Sequence, residues 1–478
     1  MYAIFADIFE TVQFALTIGI VNWLAQKAEE SRQNGERSII KTALLGKTIS
    51  VISSPEGLRR VFYNERICKR NNATIVTSKI LTLGNSEDTV VELDGQSHTT
   101  RKAFLNNITH VQAINNGLQY FVVAKIEKLI ADIKRRIHSS PNAAIDIHFY
   151  HELELCTWQI GLQQIIGLET TDEDNDGTIS IMRTWKKGYN AIPVDIPFTN
   201  FHYAILARNK LYDIIRDQLS LHRKNPSAYP HTILTILLAH NSSKNNGGGG
   251  DVSDDAIVHE ILHMIEAFTG IPMAVAATLI NLSQADPKHT AALSKELNTS
   301  ADLQSILKAP TVAGLDCLPV LSRTVKEGLR TGAVLVFRLA TCIETTEFEG
   351  VIINAGETVM ANFWGVHKSP DVYVDPNVFN PERWVGNEFG LFGPSGDGEN
   401  NPNGLYEFVP FGGSLQWQRQ CSGSTTAFSI VRFIAAKLLN SLDFEISQNQ
   451  SYDWKSNLVV PSNQMPCIIT AKVDRNEH

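Results

Sequence analysis

The sequence is poor in the features that mark several large classes of protein. Its six cysteines, Cys68, Cys156, Cys317, Cys342, Cys421 and Cys467, are scattered through 478 residues with no CxxC pair. That spacing argues against a disulfide scaffold and a zinc ribbon alike. Charged residues make up 19% of the chain, the formal net charge is −8, and no run of five like charges occurs. A nucleic-acid binder would carry a basic face, so no nucleic-acid partner is expected. The four glycines ending at Gly250 are not followed by Lys-Ser or Lys-Thr, which excludes a phosphate cradle there. The stretch 241–250 reads instead as a flexible surface loop. No internal repeat is visible. Apolar residues are abundant, at 43%, so a sizeable core is expected.

Long uncharged runs are also scarce. One extends from Thr11 to Gln26, diluted by Gln13, Thr17 and Asn22, with Asp7 and Glu10 ahead of it. It is short for a bilayer span, and a signal peptide would want basic residues in front. The segment 1–34 therefore reads as an N-terminal surface-helix region, with peripheral membrane contact as a second reading. The other run, Ala267 to Ala285, contains Gly270, Pro272, Asn281 and Gln284 and reads as a buried core helix.

Helical periodicity dominates Ala113–Ile137, Phe149–Ile166 and Tyr203–Leu221, and a short helix is expected over Glu56–Tyr63. Asp251, Ser253, Asp254 and Asp255 offer a cap and an acidic first turn for a helix reaching about Ala285. A helix of about 35 residues is roughly 50 Å long and would cross the whole molecule. Residues 35–478 are accordingly expected to form one domain around it. Short strands are expected at Thr48–Ile52, Val334–Val336, Glu347–Ile353 and Thr358–Asn362, with a turn at Asn354-Ala355-Gly356. The fold class is thus mainly α with small β-sheets, an α+β arrangement.

Cys421 stands just ahead of a helical stretch whose apolar stripe is Phe428, Val431, Ile434 and Leu438, with Ser424 or Thr425 as its cap. Free amides and the positive end of the helix dipole favour negative charge on that sulfur. Phe411 and Trp417 can shield it. A lone cysteine is more often a small buried hydrophobe, so the position alone decides nothing.

Three further features do. Glu327-Gly-Leu-Arg330 lies in a helical stretch, followed by Phe379-Asn-Pro-Glu-Arg383-Trp384 and then by Arg419-Gln-Cys421-Ser-Gly423. In this order and at these distances the motifs resemble those of the cytochrome P450 superfamily, particularly members from fungal secondary metabolism. The resemblance runs from about residue 35 to about 470. It implies a fold built around a long central helix and a buried haem b (iron protoporphyrin IX), with Cys421 as the axial thiolate of the iron. Glu327, Arg330 and Arg383 would form a buried structural triad. Arg419, Arg338 and the cluster His98, Arg101 and Lys102 would bond the haem propionates. Phe411 would flank the cofactor. Ala267 and Phe268 would line a substrate pocket.

The chain departs from the family pattern in three places. The spacing from the leading Phe to the Cys is lengthened by three residues, with Trp417 at the place of a customary glycine. Lys102 stands where the family carries arginine, with Arg101 adjacent. On the central helix the acid and alcohol of the family's proton-relay pair are replaced by Gly270 and Ile271, with Thr269 next to them. Delivering protons to iron-bound dioxygen is harder without that pair. Two functions therefore stand side by side. The first is a monooxygenase acting on a lipophilic small molecule with an NADPH-dependent reductase as partner. The second is a haem-thiolate isomerase, dehydratase or rearrangement catalyst that inserts no oxygen. A cytoplasmic location, or peripheral association with the endoplasmic reticulum, is expected for either.

Overall fold

The computed structural model of the chain describes residues 23, 26, 28–30, 38–44, 47–69, 89–170, 177–191, 194–244, 252–332, 334–396, 401–413, 419–453 and 460–472. Trp417 and most of the run from Thr11 to Gln26 lie outside these residues.

The strands in chain order are β1 (Ile39–Leu44), β2 (Lys47–Ile52), β3 (Cys68–Lys69), β4 (Ala144–His148), β5 (Phe337–Cys342) and β6 (Thr346–Phe348). They continue with β7 (Val351–Ile353), β8 (Thr358–Asn362), β9 (Leu442–Ile446), β10 (Tyr452–Asp453), β11 (Val460–Pro461) and β12 (Pro466–Ala471). The largest sheet has the order β1-β2-β8-β5-β3, with β2 and β8 parallel and the other neighbours antiparallel. A second sheet is β4-β12-β9, and β6 and β7 form a hairpin.

The helices that build the body include α1 (Gly95–Leu105), α2 (Val123–Ser139), α3 (Phe149–Ile166), α4 (Asn200–Lys224), α5 (Asp254–Ala267), α6 (Gly270–Ser283), α7 (Pro319–Gly332) and α8 (Ser424–Ser441). The Ser253 side chain caps α5 by accepting the Ala256 amide at 3.2 Å. Helix α6 is buried on nearly every side. It packs closely on α7 because two positions there lack a side chain. A Cβ on Gly328 would stand 2.4 Å from Thr278 Oγ1, and one on Gly332 would stand 2.2 Å from Ala277 Cβ. This close approach fixes α7, and with it Glu327 and Arg330, against the centre of the molecule. At the N-terminus Trp23 is 1% exposed and belongs to the main core.

Four expectations are corrected. The central helix is not one uninterrupted rod, because it breaks at Phe268–Thr269 between α5 and α6. Pro272 has no amide to donate to the Phe268 carbonyl and its ring would crowd that group, so the break falls in the turn before it. Val334–Val336 is not a strand; β5 starts at Phe337, after the chain leaves α7. Glu347–Ile353 is a hairpin rather than one strand, turned at Glu349 and Gly350, both with positive φ. The helix expected over Glu56–Tyr63 divides into an α-turn at Pro55–Gly57 and a wider π-turn at Leu58–Phe62.

Candidate functional site

The most thoroughly built polar cluster lies where α7 meets the segment 376–384. Glu327 is completely buried. Its carboxylate receives Arg330 through two bonds of 2.8 and 2.9 Å, Arg383 Nε at 3.0 Å, the Asn380 amide at 3.0 Å and Trp384 Nε1 at 2.9 Å. Burial pushes the carboxyl upward, but the bonds and charge of Arg330 and the charge of Arg383 outweigh it and hold the group below the usual carboxylate range. Arg330 also donates to the carbonyls of His367 and Pro376, each at 2.7 Å. The three residues expected to form a triad are therefore together.

Next to Glu327 stands Lys326, which sequence reasoning passed over. It is fully buried, donates to the carbonyls of Asn387 at 2.7 Å and Gly390 at 2.5 Å, and sits over the rings of Trp384 at 4.2 Å and Phe408 at 5.1 Å. Burial lowers its pKa to about 6, against the upward pull of Glu388. Phe408 opens the segment that leads to Cys421. His367 holds that segment too, its Nε2 accepting the Val409 amide at 2.9 Å. Tyr373 does the same through Glu407, whose carbonyl it meets at 2.9 Å. His367 and Tyr373 precede the Phe379–Trp384 motif, and only contacts reveal their part.

Cys421 carries an accessible sulfur on a tightly held backbone. Its amide donates to the Phe411 carbonyl at 2.8 Å, and its carbonyl accepts the Ser424 amide at 3.2 Å, which sets the thiol one turn ahead of α8. Gly423, not Ser424 or Thr425, occupies the cap position. Two cations converge on this loop. Lys102 of α1 donates to the Gln420 carbonyl; burial lowers its pKa to about 8, while the charge of Cys421 pulls upward and that of Arg419 pulls down. Arg419 pairs with Asp94 and with Glu65 at 3.1 Å, and donates to the Leu93 carbonyl at 2.9 Å.

The other expected propionate partners are spread differently. His98 is buried on α1. Arg101 is turned to the central helix, where it forms a buried ion pair with Glu260 at 2.9 Å. The grouping of Arg101 with His98 and Lys102 as one cluster is thereby corrected, because the Glu260 carboxylate, desolvated on α5, needs the guanidinium. Arg338 is exposed on β5. Phe411 is half-buried beside the core.

On the central helix Ala267 is exposed between half-buried Glu266 and Phe268. Phe268 lies against Gly161 of α3, where a Cβ would stand 3.0 Å from its ring. Thr269 Oγ1 donates to the Glu266 carbonyl at 2.7 Å, which also takes the Thr269 amide at 2.9 Å. Ile271 is buried in the core and Gly270 faces Val334. The donor set fits a haem. The exposed Cys421 is fixed through its own amide and carbonyl, Lys102 and Arg419 lie beside it, and an exposed alanine marks the break in the central helix. Among the described residues no group of three His, Cys, Asp or Glu side chains could hold a bare metal ion.

Comparison with known proteins agrees with this chemistry. The family description "Cytochrome P450" matches residues 17–467. Abscisic acid 8'-hydroxylase 1 of Arabidopsis thaliana is 25% identical over 445 residues, 93% of this chain and 86% of that one. Cytochrome P450 26B1 of Homo sapiens is 23% identical over 439 residues, 89% of this chain and 79% of the other. Among solved structures, retinoic acid bound cyanobacterial CYP120A1 superposes with a TM-score of 0.78 at 20% identity, covering 97% of this chain and 96% of that one.

Proposed function

Because the chain belongs to the cytochrome P450 family, we propose that Cys421 would supply the thiolate that holds its haem and that the residues around the cysteine loop and the central-helix break would divide the remaining work. The protein is a haem-thiolate monooxygenase acting on a lipophilic metabolite, and its electrons come from a redox partner. The rearrangement reading left open by Gly270 and Ile271 is not favoured, since full-length relatives are named as hydroxylases.

The cofactor is haem b in this reading, and when bound it supplies dioxygen activation at its iron. Everything else falls to the chain. Cys421 offers the sulfur, and the Phe411 carbonyl and the start of α8 hold it in place. Lys102, His98, Arg338 and Arg419 serve the propionate carboxylates, with Arg419 kept in position by Asp94 and Glu65. Glu327, Arg330 and Arg383 brace the loop structurally. Ala267 and Phe268 border the substrate space at the helix break, and Thr269 is the hydroxyl nearest the missing relay pair. The domain comprises residues 35–478, with 1–34 as an N-terminal surface-helix region, and the protein is cytoplasmic or peripherally associated with the endoplasmic reticulum. An NADPH-dependent reductase is the expected electron donor.

Abscisic acid, named for the hydroxylase relatives, is a lipophilic carboxylic acid, and we assign the substrate to that chemical class. The observation that carries the assignment of the site is the accessible Cys421 sulfur ahead of α8. Two experiments test it. Cys421→Ala should fail to give the thiolate-type ferrous–carbon monoxide spectrum; retention of that spectrum would overturn the ligand. Turnover of a lipophilic acid with dioxygen, NADPH and reductase should add one oxygen atom, and product formed without dioxygen would return the rearrangement reading.

A further inference from the structure

The large sheet brings together two cysteines that are far apart in sequence. Cys68 on β3 stands directly opposite Cys342 on β5. Neither is in a disulfide and both are buried, at 4% and 0% exposure. The Ile343 amide donates to the Ile67 carbonyl at 2.7 Å, which makes the cysteines a non-hydrogen-bonded cross-strand pair. In such a pair the Cα atoms are about 4.5 Å apart, inside the roughly 4.4–6.8 Å that a disulfide accepts. Their side chains already share a hydrogen bond, and burial raises the Cys342 thiol above its ordinary pKa, partly offset by its bond to the Glu344 carbonyl. By contrast Cys467, also on a strand, faces Ile147 and Ile446.

We propose that Cys68 and Cys342 are a redox-active pair that closes to a disulfide when a low-molecular-weight disulfide accepts their two electrons. Cys68 attacks one sulfur of the oxidant, giving a mixed disulfide and releasing one thiol. Cys342 then attacks the Cys68 sulfur and releases the second thiol. The two protein thiols lose two electrons and two protons, and the oxidant becomes two thiols. Entry is through β3, a two-residue strand at the sheet edge whose local opening exposes Cys68 before Cys342.

The bond would act on the cysteine loop. The segment ahead of β3 holds that loop twice, since Tyr63 accepts the Gly413 amide at 2.8 Å and Glu65 pairs with Arg419 at 3.1 Å. Closing Cys68 onto Cys342 ties the end of this segment covalently to β5. The loop closed in the unfolded chain is long, so oxidation stabilises the fold.

The test uses the haem-loaded wild-type protein incubated with oxidised glutathione, blocked with iodoacetamide under denaturing conditions, and digested without reduction. The expected result is one peptide pair joined through Cys68 and Cys342 that dithiothreitol separates. The melting temperature should rise on oxidation in the wild type and stay constant in Cys68→Ser, or in Cys342→Ser if the first variant folds poorly. Glutathione on the exposed Cys317 shows that the oxidant was active. If Cys317 is modified while Cys68 and Cys342 are recovered as separate blocked peptides, or if glutathione stays on Cys68, the proposal fails.

Discussion

The imidazole Nε2 of His367 accepts the backbone amide of Val409 at 2.9 Å. Since Nε2 accepts, the ring proton sits on Nδ1, which is buried without a partner among the described residues. Burial, and the nearby charges of Arg330 and Lys368, push the His367 pKa well below its ordinary value, so the ring stays neutral. Its carbonyl meanwhile accepts Arg330. One residue thus joins the Glu327 cluster to the segment that carries Cys421.

His367→Ala should therefore destabilise the fold by about 1–3 kcal/mol, because it strands the buried Val409 amide. Urea unfolding of both proteins measures the difference. The wild type should also lose stability as pH falls below about 6.5, since the unfolded chain then takes up a proton that the folded ring refuses. The variant should show a shallower acid limb, and an unchanged limb would contradict the neutral-ring assignment.

Removing Glu327 should be more severe. Its carboxylate is shared by two arginines, an indole and a backbone amide, and all of them lose their partner in Glu327→Ala. Breaking one side of a buried ion pair costs about 3–5 kcal/mol. The expected outcome is little soluble haem-containing protein and a lower denaturation midpoint for what remains. A stable, fully loaded Glu327→Ala protein that has lost only turnover would show the cluster to be catalytic instead.

Some of this organisation was legible in the sequence. Phe149–Ile166 and Thr358–Asn362 match α3 and β8 residue for residue. The pairing of Glu327 with Arg330 was legible because they share one helix face, whereas Arg383 joined them only through the family resemblance. The hairpin at Glu349–Gly350 was hidden, since a glutamate with positive φ gives no turn signature. Lys326 was hidden for a different reason. A lysine in a helix ordinarily marks a solvated face, and only tertiary packing sets it among Trp384, Phe392 and Phe408. The Arg101–Glu260 and Cys68–Cys342 pairs join segments far apart in the chain, where spacing carries no information.

Lys326 makes a pH prediction. With a folded pKa of about 6 against 10.5 for the free side chain, the folded protein binds fewer protons than the unfolded chain between those values. Stability contributed by the neutral amine is therefore greatest in alkali and declines as pH falls towards 6. Lys326→Met removes this dependence. The stability difference between wild type and variant should grow from pH 6 to pH 9, by at most about 1.4 kcal/mol per pH unit. Chemical denaturation at several pH values measures it, and a difference that stays constant would mean the lysine is charged in its cage.

Thr269 offers the sharpest probe of the distal side. Its hydroxyl donates to the Glu266 carbonyl at 2.7 Å, but that carbonyl also holds the Thr269 amide at 2.9 Å. Thr269→Val therefore leaves the helix break with a donor in place, and the stability cost should stay within about 1 kcal/mol. If Gly270 and Ile271 stand in place of the family's relay pair and Thr269 has taken over proton delivery, the variant should consume NADPH while forming several-fold less product. Unchanged coupling would mean that the hydroxyl plays no part and that the substrate supplies its own. The reverse experiment, Gly270→Asp with Ile271→Thr, meets a steric limit. A Cβ at Gly270 already stands 3.2 Å from Val334 Cγ1, and Ile271 lies in the core. Gly270 is half-buried, so an aspartate there would be partly desolvated, which costs stability. The double variant should lose stability before it gains any coupling, which thermal unfolding of the haem-loaded protein would register. A stable double variant with better coupling would show instead that the position opens to the substrate space.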